Sequence, residues 1–117
     1  MGSSILYKLV IFLPETALAS VKAALFEAGA GAFGHYDCCC WESSGQSQYR
    51  PLAGSHPHSG EMGRLHVETE YRLEMVCREE VLEEAVTALW HHHPYEQPAY
   101  EVIQLHPFTL FIPPNLS

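Results

Sequence analysis

From Leu65 to Cys77 the chain alternates without a break. Leu65, Val67, Thr69, Tyr71, Leu73, Met75 and Cys77 fall on one side, and His66, Glu68, Glu70, Arg72, Glu74 and Val76 on the other. A period of two is the signature of a strand with one face in a core and one face largely wet. On that reading Glu68, Glu70 and Glu74 are solvated acids. The rest of the chain must then supply a layer that covers only one face of a sheet.

Two helical patterns can provide it. Pro14 and Glu15 open the first, since Pro suits a first turn and an acid there suits the helix dipole. Leu18, Val21, Leu25 and Ala28 follow as one apolar stripe, and Gly29 ends it. The second runs from Glu79 to about His92 through Leu82, Ala85, Val86 and Leu89, and Pro94 stops it. Ile5 to Phe12 is a continuous apolar run, as expected of a central strand. His35 to Trp41 reads as the second strand and Ala99 to Leu105 as the last. Ser43 to Gly63, rich in Ser, Gly, Pro and His, reads as a long loop. The order is therefore βαββαβ. This predicts an α+β, ferredoxin-like fold, with an antiparallel four-stranded sheet and both helices on one face. One domain spans residues 1–106, and residues 107–117 form an apolar, proline-rich tail suited to packing on its own domain or on a neighbour.

Composition narrows the function. The net charge is −8, with six Lys and Arg scattered along 117 residues. No basic face for nucleic acid or an anionic membrane surface is expected. No apolar run approaches the ~18 residues of a membrane span, and the N-terminal segment lacks the basic flank and cleavage site of a signal peptide. The expected compartment is the cytoplasm. Three of the four cysteines are consecutive, which is no disulfide framework, so reduced thiols are expected.

Three motifs carry possible chemistry. GAGAFG, Gly29 to Gly34, matches the dinucleotide pattern by letter. A helix precedes it and a strand follows, the reverse of what phosphate binding at a helix N-terminus needs. It reads as a connection. Cys38, Cys39 and Cys40 would alternate on a strand, so Cys38 and Cys40 form a C-x-C pair for a soft metal. Small buried apolar residues are the competing reading. His91, His92 and His93 lie about 100° apart around a helix and cannot grip one ion together. His93 with Glu96 makes a partial site that needs other donors. The metal candidates are thus His93, His35, Cys38 and Cys40, with zinc or copper as the fitting ions. No H-E-x-x-H, G-x-S-x-G or Walker pattern is present, and no residue is assigned a catalytic role.

Several segments together, YKLVIFLPETALASVKAALFEAGAG, GHYDCCCW, EYRLEMVC and HPYEQPAYEV, resemble the YqfO-type domain of the Nif-three-like family. Members of that family are also named GTP cyclohydrolase I type 2 homologs, and the domain also occurs as a chain of about this length. The HPYE-x-P block is similar to a segment of CutA proteins. The resemblance implies a PII/CutA-like fold and a homo-oligomer, a trimer more than a dimer, whose packed sheets would cover the open face. It covers Tyr7 to Leu105. It implies no dinuclear metal site, whose ligands lie outside the matched region in the long proteins. Its matched connections make Tyr36, Asp37, Tyr95 and Glu96 the ligand-binding candidates. The leading expectation is a non-catalytic, homo-oligomeric module with a regulatory or assembly role that binds a divalent metal or small ligand. The alternatives are a metal-dependent hydrolase built from His35, His93, Glu96 and a cysteine, and a pure scaffold.

Overall fold

The computed structural model describes residues 5–116. The remaining residues of the expected domain and tail, 1–4 and 117, lie outside the described residues. Strand β1 (Leu6–Leu13) leads into helix α1 (Glu15–Glu27), strand β2 (Trp41–Tyr49), strand β3 (His66–Arg78), helix α2 (Glu79–His92) and strand β4 (Ala99–Gln104). The sheet order is β2-β3-β1-β4, with every neighbouring pair antiparallel. This is the predicted α+β ferredoxin-like arrangement.

Register explains the layers. Leu9 pairs with Met75 and Ile11 with Leu73, so these side chains share one face. They form the core with Val21 and Leu25 of α1 and Ala85 and Leu89 of α2. Both helices therefore cover the same face. The opposite face carries a polar lattice. Lys8 pairs with Glu74 at 3.2 Å, Arg72 reaches the same carboxylate at 3.2 Å, and its guanidinium sits 5.7 Å from the Phe12 ring centroid.

Helix α1 ends in a Schellman motif. The Ala30 N–H bonds Leu25 O and the Gly29 N–H bonds Phe26 O, which the left-handed backbone of Gly29 allows. The chain is next pinned at Gly31, whose N–H donates to Val76 O (2.8 Å) and whose carbonyl accepts from Cys39 N–H (2.9 Å). Gly29, Gly31 and Gly34 all have positive φ, 106°, 81° and 59°. The glycine pattern thus serves the path of this connection.

The second strand differs from expectation. His35 to Cys40 is not a strand, because Phe33 and Tyr36 close a tight turn through paired backbone bonds. Cys38 then takes a left-handed φ of 55°, which breaks the alternation behind a shared face for Cys38 and Cys40. Strand β2 begins at Trp41 and occupies the first part of the segment expected to be a loop, so irregular chain begins only at Arg50. The alternation in β3 is real, but only from Tyr71 onward does one side meet the core. Strand β1 stops at Leu13, opposite Tyr71. The outer part of β3, with residues 45–49 of β2 paired to it, overhangs the helical layer, leaving Val67 50% exposed and Leu65, just before the strand, 63% exposed. The molecule is correspondingly long, 58 × 23 × 22 Å.

Candidate functional site

Beyond the end of β1, one side of β3 has lost its strand partner, and the connection from α2 to β4 fills the gap. The HHHP sequence makes this possible. His91 and His92 remain exposed in the last helical turn. His93 precedes proline, which disfavours helical backbone, and it leaves the helix with extended angles (φ −78°, ψ 134°). Its ring turns inward and is 6% exposed.

The His93 ring is fully committed. Nε2 lies 2.8 Å from Phe12 O, and a carbonyl only accepts, so Nε2 carries the proton. Nδ1 accepts the Tyr95 N–H at 3.2 Å. Neither nitrogen has a lone pair left for a metal. Burial pushes the ring below the ordinary histidine range, against the opposing pull of the Phe12 carbonyl and Glu70. His93 is a neutral bracket joining the end of β1 to the α2–β4 connection.

Tyr95 follows directly. Its hydroxyl contacts Glu68 Oε1 at 2.8 Å and also bonds Glu70 Oε2. Glu70 is 6% exposed, so this acid of the expected wet face is buried. Glu68 is further held by the Ser59 hydroxyl at 3.2 Å and lies 3.3 Å from His66 Nε2. Burial resists ionisation of Glu68, but Tyr95, His66 and Ser59 outweigh it and hold the carboxyl below its usual range. Tyr95 itself is pushed far up by burial and by the two carboxylates, so it remains a proton donor. Tyr49 closes the network, donating to Ser59 O at 2.8 Å.

A cavity of about 350 Å³ opens beside this network. Tyr49, Pro51, His58, Glu70, Tyr95 and Glu96 are among its walls. Glu96 Oε1 accepts the His56 N–H at 3.1 Å, tying the long loop to the α2–β4 connection.

Of the ligand candidates, Tyr95 and Glu96 meet at this cavity, while Tyr36 and Asp37 are exposed on the α1–β2 connection. His35, Cys38 and Cys40 are also exposed there. Gly31 pins that connection beside Val76, which pairs with Lys8, whereas His93 meets Phe12. Four residues of β1 separate the two places, about 13 Å. The metal set His93, His35, Cys38 and Cys40 is therefore divided between two places, and so is the hydrolase set. Among the described residues, no three His, Cys, Asp or Glu side chains converge as a metal site. Burial raises the Cys40 thiol above its ordinary range despite nearby Lys22, so it is no activated thiolate.

The comparisons fit this architecture. No family model matches the chain. The GTP cyclohydrolase 1 type 2 homolog of Halalkalibacterium halodurans is 39% identical over 100 residues, 86% of this chain and 27% of the relative. A Bacillus cereus protein related to NIF3 superposes with a TM-score of 0.76 at 33% identity, covering 86% of this chain and 26% of that one. The chain is homologous to one segment of the NIF3-related proteins. It spans about a quarter of their length. The PII-like protein CutA from Nostoc shares the fold at 18% identity, with a TM-score of 0.64 over 91% of this chain and 86% of its own. The NIF3-related segment thus has a PII/CutA-like fold. No helix among the described residues is long and apolar enough to cross a membrane.

The network sets a pH dependence. His93 and Glu68 both have folded pKa values below their ordinary 6.5 and 4.5. For each, the unfolded chain takes up the proton first, so its stabilisation is complete above the ordinary value and is lost as pH falls through the folded one. The melting temperature is expected to decline as pH drops below 6.5. His93→Gln should remove the first part of that decline. A melting temperature independent of pH in this region would contradict the assignment.

Proposed function

We propose that the chain is a non-catalytic, self-associating module with a regulatory or assembly role, carrying a small-ligand pocket at Tyr95 and Glu96. The observation behind self-association is the apolar surface at its C-terminal end. Phe108, Leu110, Phe111, Ile112 and Leu116 are 43–74% exposed, and Val102 and Ile103 of the edge strand β4 are 40% and 43% exposed. Apolar side chains left in water favour burial against a partner, and an edge strand invites a further partner. A trimer is the assembly favoured by this reading. Its metal branch is narrow. Zinc or copper would depend on the exposed Cys38 and Cys40 plus donors from another part of the assembly, because His93 has no free lone pair.

Analytical ultracentrifugation tests self-association. The chain is expected to sediment as a multiple of 13.1 kDa, and Phe111→Asp with Ile112→Asp should release the monomer. A monomer at ~100 μM of the unsubstituted chain would sink the proposal.

A further inference from the structure

We propose that the cavity beside Tyr95 binds a small organic cation, with Glu70 as its counter-charge. The proposal rests on the reading of this cavity as a ligand pocket and is independent of self-association.

Glu70 is 6% exposed. Among the described residues, the ion pairs of Lys8, Lys22, Arg64 and Arg72 go to Glu74, Glu42 and Glu61, His66 lies against Glu68, and none of these groups reaches Glu70. Its hydrogen bond comes from the Tyr95 hydroxyl, at Oε2. That phenol has one hydrogen and also touches Glu68. Glu68 has Ser59 and His66 as further support, so the shortfall falls on Glu70. A carboxylate this deep is costly to keep without a positive partner.

The cavity offers the space for that partner. At about 350 Å³ it lies at the small end of ligand pockets. Ser47 of β2 is part of the lining on the side of the cavity formed by that strand. An ammonium or guanidinium group in the cavity would donate to Glu70. The other walls suit the organic part of such a ligand. Tyr49 and Tyr95 present aromatic rings and Pro51 and Pro57 present apolar surface, a combination that attracts organic cations. Glu96 adds a second acid to the lining. An anion would meet both carboxylates. A bare divalent ion would lack a third protein ligand.

Three probes of one shape and different charge test this: benzylammonium, benzyl alcohol and benzoate, each titrated into the isotopically labelled chain. Amide shifts at Ser47, Tyr95 and Ala99 report the cavity. Benzylammonium is expected to move them with an affinity at least about tenfold above that of benzyl alcohol, and benzoate is expected to leave them in place. Glu70→Gln, which keeps an acceptor for the Tyr95 hydroxyl, should erase the tenfold preference while the rest of the spectrum is preserved. Equal binding of amine and alcohol at these amides would overturn the cation proposal and leave the ligand pocket standing. Absence of shifts with any probe at ~20 mM would overturn both. The three-probe comparison on the unsubstituted chain decides the matter even if the variant folds poorly.

Discussion

Gly31→Ala is expected to destabilise the chain by about 3 kcal/mol, measured by denaturant unfolding. Two costs combine. Gly31 has φ +81°, a conformation that strains any residue with a side chain. Its added Cβ would also lie 2.8 Å from Phe26 Cε1 and 2.9 Å from the Cys39 carbonyl oxygen. The ring can give way, but the backbone oxygen has little freedom, because the Cys39 N–H is bonded to Gly31 O. Gly34→Ala is the internal control. Its φ is also positive, at +59°, but nothing lies within 4 Å of the added carbon. Conformational strain alone should cost about 1 kcal/mol there. Equal losses at the two positions would show that the close approach at Gly31 is not what fixes the α1–β2 connection.

Tyr95→Phe is expected to cost about 2–3 kcal/mol at neutral pH. The substitution keeps the ring and its edge contact with His93, whose centroid is 4.7 Å away. It removes the hydrogen shared by Glu68 and Glu70 and leaves a buried carboxylate without its donor. Tyr49→Phe loses a bond to the neutral Ser59 backbone oxygen and a longer, 3.5 Å contact with Glu68, and should cost about 1 kcal/mol. Combining Tyr95→Phe with Glu70→Gln should recover part of the loss, because the amide brings its own hydrogens and no charge. A double variant no more stable than Tyr95→Phe alone would show that the penalty comes from elsewhere in the connection.

The fold was legible wherever apolar side chains recur with a period. Strand β1, both helices and the inner half of β3 all face one core, and their spacing shows it. Strand β2 gave no such signal. Its sequence, WESSGQSQY, is polar on both sides and exposed at nearly every position, so its extended shape comes from pairing with β3 rather than from local preference. The site was half legible. HPYE marked the end of α2 through its proline, but the inward turn of His93 depends on the Phe12 carbonyl, 81 residues away. Glu68 and Glu70 looked like solvated acids because alternation alone does not say where the sheet's cover ends. Their signal lay in length: β3 has 13 residues and β1 has 8. The surplus of β3 had to find another neighbour, and Tyr95 is the one it found.

That overhang makes stability uneven along a single strand. The inner half of β3 is locked into the core, and losing it means losing the fold. The outer half, with residues 45–49 of β2, rests on β-ladder bonds and on the Tyr95 and Glu96 contacts. Little apolar surface is at stake there, so opening costs far less than global unfolding. One wall of the cavity belongs to this detachable half. Occupancy of the cavity and closure of the hairpin are therefore linked equilibria, and whatever fills the cavity also holds the hairpin shut.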